Sequence, residues 1–276
     1  MTGHIASTPK AAPCRGVTAQ RMRIALGTTV IIEAQAPSEH AANAALAAAF
    51  AAITAVERRL HPARAGSDLS RIACAAPHSS VGVAVGTWTL LALAQRIHAL
   101  SAGVFDPCLP CAPGRLSDLE LLPPGLSGSG RYGVVPHAPL ALDLGGIAKG
   151  YAVDCAIEAL RTHDCRAGLV NAGGDMRVFG AEPREILVRQ AGGRFAPLAL
   201  QDSALAVTDP LAAARPPEHR GYYTRNGSSS LRRCFAAVRA KRAAVADALT
   251  KCVLFCPEEC ADRVLARMGA TVLACA

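Results

Sequence analysis

The sequence predicts a single α+β domain, with mixed or antiparallel sheets packed against helices. Three observations predict it. Strand-patterned and helix-patterned segments are interleaved without a regular βαβ rhythm, which disfavours a doubly wound parallel sheet. The 276 residues show no internal repeat and no clean linker. Hydrophobic residues make up 51% of the chain, enough to build a core and to exclude general disorder. Aromatics are only 4%, so that core must come largely from Ala, Leu, Val and Ile.

The elements follow in order. Residues 1–20, with Pro9, Pro13 and Gly16, read as a flexible arm, leaving 21–276 as the domain. Residues 22–34 read as two short strand runs around Gly27. Ser38 is a plausible N-cap for a helix over 39–60, with Leu46, Phe50, Ile53 and Leu60 at helical spacing. The longest apolar run, 41–56, is interrupted by Asn43 and Thr54 and ends at Glu57-Arg58-Arg59. It falls short of the ~20 residues a bilayer needs, so a core helix is expected and no membrane span. A second helix is expected from an N-cap at Thr87 to Ser101, stopped by Gly103. Residues 107–139, rich in Pro and Gly, read as loop. A strand is expected over 140–144, then Gly145-Gly146, then a helix over 147–162. Strands follow at 168–170, 176–179, 186–189 and 204–207, and 209–233 reads as irregular. A strand over 235–240, helices over 245–255 and 258–268, and a strand over 270–274 complete the chain.

Composition narrows the function. The first 20 residues lack the apolar core of a secretory leader, which points to a cytoplasmic protein with reduced thiols. Of the 11 cysteines, Cys108 and Cys111 form the one C-x2-C pair, half of what a structural zinc site needs. Cys252, Cys256 and Cys260 recur every four residues, but Pro257 interrupts them, and small buried hydrophobes are the better reading. The formal charge of +8 is concentrated only at Arg232, Arg233, Arg239, Lys241 and Arg242. No aromatics interleave with these cations, so nucleic acid is not the expected partner. An anionic small ligand, or plain solubility, accounts for the charge.

Three segments can carry chemistry. In Asp143-Leu-Gly-Gly-Ile-Ala-Lys-Gly-Tyr151 a strand-like run meets two glycines and then a helix. Glycines admit a ligand to the backbone, and a helix N-terminus offers free N–H groups to an anion. Lys149 in the first turn opposes the helix dipole, which makes sense beside a bound anion. The spacing matches neither a Walker A loop nor a Rossmann fingerprint, so phosphate binding and a plain strand–helix turn both stay open. Asn171-Ala-Gly-Gly-Asp175 is a tight turn able to present a carboxylate. In Ala246-Asp-Ala-Leu-Thr-Lys251, Asp247 and Lys251 share a helical face with Thr250 beside them. That face reads either as a surface ion pair or as oxygen ligands for a hard cation such as Mg2+.

Taken together, these segments resemble the ApbE-type flavin transferases, the FAD:protein FMN transferases. Asp143 to Asp154 looks like the family signature, and Val170-Asn-Ala-Gly-Gly-Asp175 fits its next motif. Leu26-Gly-Thr28, Ser67-Asp-Leu-Ser-Arg-Ile72, Gly103-Val-Phe-Asp-Pro107 and Ala246 to Lys251 fall in matching order, over roughly residues 22 to 275. The resemblance implies an α+β domain that uses FAD as substrate and Mg2+ as cofactor. It would transfer FMN to a Ser or Thr hydroxyl of an acceptor flavoprotein and release AMP. It assigns Leu26, Val104, Phe105, Asp106, Asp143, Lys149 and Asp175 to FAD, with Lys149 and Asp247 as catalytic residues. It assigns Gly146, through its carbonyl, with Asp247, Thr250 and Lys251 to the metal. The chain departs from the family pattern in two places. No His-x-x-Asp-Pro-x-Thr-Gly segment follows Thr208, where His219 is the one histidine before Asp247, and Lys251 stands where many members have Thr. Two further readings compete: a flavin- or nucleotide-binding protein without transfer, and a basic interaction module on the same fold.

Overall fold

A computed structural model describes residues 16–124, 132–190, 194–210 and 231–276. The chain opens with a hairpin of β1 (Val17–Ala25) and β2 (Thr28–Ala36), turned by Leu26 and Gly27 at φ 54° and 68°. Residues 17–20 therefore belong to the sheet, not to the N-terminal arm. Inward positions of β2 (Val30, Ile32, Ala34, Ala36) are fully buried, as strand alternation requires. The Ser38 hydroxyl accepts the Ala41 N–H at 3.2 Å and starts α1 (Glu39–Leu60). Among the described residues α1 is the one helix long and apolar enough to cross a membrane. It buries Leu46, Phe50 and Ile53 in the core instead.

Next come α2 (Asp68–Ala73), β3 (Val81–Val83) and α3 (Val85–Leu100). Thr87 does not cap α3: the helix starts earlier, and the Thr87 hydroxyl donates to Asp68. The 107–139 segment is not all loop. It holds a 3-10 turn at Leu116–Asp118, β4 (Leu119–Leu122) and β5 (Tyr132–Pro136), and β5 pairs with both β3 and β4 in a small sheet. The glycine cluster at 125–130 lies outside the described residues. The strand expected at 140–144 is reduced to one antiparallel bridge, Leu142 to Cys108.

The remaining elements are α4 (Ala148–Thr162), β6 (Ala167–Ala172), β7 (Asp175–Phe179), β8 (Arg184–Arg189), β9 (Phe195–Leu200), β10 (Ala204–Thr208), β11 (Ala236–Ala240), α5 (Ala243–Phe255), α6 (Glu258–Met268) and β12 (Thr271–Cys275). Most of the segment expected to be irregular, residues 211–230, lies outside the described residues. The main sheet is antiparallel, in the order β1-β2-β6-β7-β10-β11-β12. Helices α1, α4 and α5 lie on one face and enclose the larger core. On the other face the β8–β9 hairpin closes a smaller core around Met176, Val178, Leu205 and Phe235.

Two features fix α4 against α5. A Cβ at Gly150 would overlap the Ala243 carbonyl and lie 2.8 Å from Ala244 N, so only glycine allows this approach. One turn on, fully buried Asp154 accepts the Ala243 and Ala244 amides, both at 3.0 Å, and so caps α5 from outside the helix. Arg177 on β7 donates to the same carboxylate at 2.8 Å. The position of α5 is thereby set by α4 and β7 together.

Candidate active site

The site gathers at the N-terminal end of α4. The Asp143 carboxylate accepts the Gly145 N–H at 2.8 Å and shapes the glycine turn. The Leu144 carbonyl then accepts the Ile147 and Ala148 amides at 2.9 and 2.7 Å. The turn carries Lys149 into the first turn of α4, where its ammonium pairs with Asp175. Asp175 is presented by the β6–β7 turn, in which Gly173 and Gly174 take φ 64° and 103° and the Asn171 side chain accepts the Gly174 N–H at 3.0 Å. Asp175 is fully buried, whereas the Lys149 side chain is 32% exposed, so the pair opens outward at its cation.

A second pair lies behind the first. On α5, Asp247, Thr250 and Lys251 are all buried, and the Lys251 ammonium pairs with Asp247 Oδ1. Lys251 Nζ also donates to the Asp247 carbonyl at 3.0 Å and to Thr208 Oγ1 at 3.4 Å. The Thr250 hydroxyl donates to the Asp247 carbonyl and meets the Thr208 hydroxyl, both at 2.7 Å. The Gly150 N–H, next to Lys149, donates to Asp247 Oδ2 at 3.1 Å. The first turn of α4 and the C-terminal aspartate, about a hundred residues apart in sequence, thus meet through the Gly150–Asp247 hydrogen bond.

The electrostatics separate the two carboxylates. Burial pushes the Asp175 carboxyl up, the nearby Asp247 charge pushes it further, and Lys149 and Lys251 offset only part of this. Burial also acts on Asp247, but Lys251, Lys149 and the Gly150 amide outweigh it and hold that carboxyl below the usual range. The result is a firm anion at Asp247 and two ammonium groups, Lys149 and Lys251, that both act on the Asp175 and Asp247 carboxylates. Lys149, on the partly exposed side of the cluster, can meet an anion and stabilise charge developing on it.

The other expected residues border the same region. The Leu26 N–H donates to Glu57 at 3.2 Å, and the β1–β2 turn lies against the β6–β7 turn, since a Cβ at Gly173 would strike Thr28. Residues 104–106 run beside the glycine turn, because the Asp143 N–H donates to the Pro107 carbonyl at 2.9 Å. Phe105 is buried, Val104 is partly exposed, and the Asp106 carboxylate accepts the Cys108 N–H at 3.0 Å. The other carboxylate oxygen of Asp106 is buried without a hydrogen-bond partner among the described residues. Sequence reasoning did not place Thr208 or Glu57 in the site. Each touches it through a partner distant in the chain, and neither carries a local pattern. His219 lies outside the described residues. Cys252 and Cys256 are buried in the main core, as small hydrophobes would be. Among the described residues no group of three His, Cys, Asp or Glu side chains is arranged to hold a metal.

A family model described as the ApbE family matches residues 26–112 and 125–209. The chain belongs to the ApbE family. Solved ApbE structures share its fold. The flavin transferase ApbE from Vibrio cholerae superposes with a TM-score of 0.76 at 18% identity, covering 93% of each chain. The apo flavinyl transferase ApbE from Pseudomonas stutzeri gives 0.74 at 18% identity, covering 93% of this chain and 90% of that one. The ApbE protein from Thermotoga maritima gives 0.70 at 22% identity, covering 91% and 87%. No curated protein matches the sequence. For an ApbE chain, the glycine turn and Lys149 lie within the matched stretch, whereas Asp247, Thr250 and Lys251 lie beyond it. Their place in the site rests on the fold, through Gly150 and Thr208.

Proposed function

We propose that this ApbE-family chain is an FAD:protein FMN transferase. The acceptor is a flavoprotein that offers a Ser or Thr hydroxyl. Its oxygen forms a bond to the FMN phosphorus of FAD, the bond from that phosphorus to the AMP oxygen breaks, and the hydroxyl proton is released. AMP leaves with the negative charge. The observation that carries the reading is the hydrogen bond from Gly150 to Asp247, which joins the Lys149–Asp175 and Lys251–Asp247 pairs at the first turn of α4.

A diphosphate resists attack because its own charge repels the nucleophile. Lys149, with its side chain partly exposed, would bind a phosphate oxygen and stabilise the departing AMP. The glycine turn lets the backbone approach the diphosphate closely, and the α4 N-terminus adds positive potential. Asp175 holds Lys149 in place, and the β1–β2 turn and residues 104–106 would flank the flavin half. The remaining task is to align the incoming hydroxyl with the phosphorus.

Family resemblance also implies Mg2+, held by Asp247, Thr250, Lys251 and the Gly146 carbonyl. The residues present do not fit that ion. An ammonium has no lone pair to offer a metal. Lys251 occupies Asp247 Oδ1 and the Asp247 carbonyl, and Gly150 takes Oδ2. No step above passes through a metal.

The test is incubation of the protein with FAD and a flavin-acceptor domain. The expected result is one FMN mass added to a Ser or Thr of the acceptor, with one AMP released per transfer. Tight FAD binding with no AMP release would contradict the transferase reading.

A further inference from the structure

We propose that Lys251 supplies, as a fixed part of this chain, the positive charge that a divalent ion would bring to such a site, so that FAD binding and transfer run without a divalent metal. The inference rests on the flavin-transfer reading for what the site binds, and on Lys251 itself for how.

The geometry points to Lys251 as the resident cation. An ammonium carries three N–H donors. Lys251 Nζ meets three oxygens, Asp247 Oδ1, the Asp247 carbonyl at 3.0 Å and Thr208 Oγ1 at 3.4 Å. Hydroxyl, carbonyl and carboxylate oxygens are the donor set a hard cation seeks. Here they converge on a nitrogen. Thr250 completes the arrangement with its own hydroxyl, which donates to the Asp247 carbonyl beside the ammonium.

Displacement is unfavourable on two counts. Lys251 is 5% exposed, and its stem leaves a helix buried along its whole length, so the ammonium is largely shielded from water. A divalent ion on Asp247 would then stand within a few ångströms of a buried positive charge, and like charges at short range in a low dielectric repel strongly. The other carboxylate of the cluster, Asp175, is already paired with Lys149. Two covalently held ammoniums therefore face the anion, one partly exposed and one buried.

The experiment compares FAD binding by the whole protein in EDTA and in millimolar Mg2+, with a parallel titration of Mn2+ alone followed by electron paramagnetic resonance. Wild type should bind FAD with less than about a twofold difference between the two buffers, and should leave Mn2+ free in solution. Lys251→Thr should lose about tenfold or more in FAD affinity in EDTA, the loss expected for a charged hydrogen-bonding group. Mg2+ should restore it, and the variant should take up about one Mn2+ per chain. Wild-type FAD binding that collapses in EDTA and returns with Mg2+ would overturn the proposal, as would stoichiometric Mn2+ binding by wild type that Asp247→Asn removes. If Lys251→Thr does not fold, the two wild-type measurements decide alone. Should wild type bind no FAD in either buffer, the flavin reading fails, while the Mn2+ titration still tests the role of Lys251.

Discussion

Lys149→Met should lower the rate of flavin transfer by roughly 10²–10³-fold while the chain stays folded, the usual cost of removing one charge-stabilising donor. Lys149 stands at the open side of the cluster, so its loss removes the cation best placed to meet the diphosphate. The fold should survive because Asp175 can respond. Its carboxyl is already pushed up by burial and by Asp247, and without the ammonium it is pushed further toward the neutral acid. A neutral acid is far cheaper to bury than an unpaired anion. The check is the mass of FMN added to the acceptor over time, alongside a thermal melt. A variant that transfers at the wild-type rate would remove Lys149 from the chemistry.

Gly150→Ala should destabilise the protein by about 3 kcal/mol or more and silence transfer with it, the upper end for forcing an extra carbon into a packed contact. The added Cβ would overlap the Ala243 carbonyl and press on the first residues of α5, which are backbone and cannot rotate away. Helix α5 would have to move off α4. That shift breaks the Gly150 bond to Asp247 and loosens the Asp154 cap on Ala243 and Ala244. Denaturant unfolding reads the stability, and the transfer assay reads the site. Wild-type stability in this variant would mean that the two helices do not cross as closely as described.

Much of this was legible before any coordinates. Helix α6 falls on the expected bounds because both ends are written locally, Glu258 and Glu259 in the first turn and Gly269 at φ 63° just past the last. The four charged residues of the site were legible from their motifs, since glycine turns and an i, i+4 spacing are local patterns. Which lysine meets which aspartate was not. Lys251–Asp247 is local to α5, but Lys149–Asp175 and the Gly150 bond to Asp247 depend on how α4, β7 and α5 pack. Thr208 entered the site for the same reason, through Thr250, 42 residues later in the chain. The small sheet of β3, β4 and β5 was hidden because its strands are short, sit among Pro and Gly, and stabilise one another only once paired. The strand expected at 140–144 has the right composition, but among the described residues it has no ladder partner beyond Cys108.

In the proposed function the glycine turn before α4 and the buried pair on α5 form one anion-binding site. A crystal structure of the protein soaked with FAD tests it most directly. The diphosphate should lie at the Gly145-Gly146 turn, within hydrogen-bond reach of Lys149 and on the side of α4 that meets Asp247 and Lys251. A diphosphate bound elsewhere, with Lys149 still closed on Asp175 and untouched by the ligand, would contradict it.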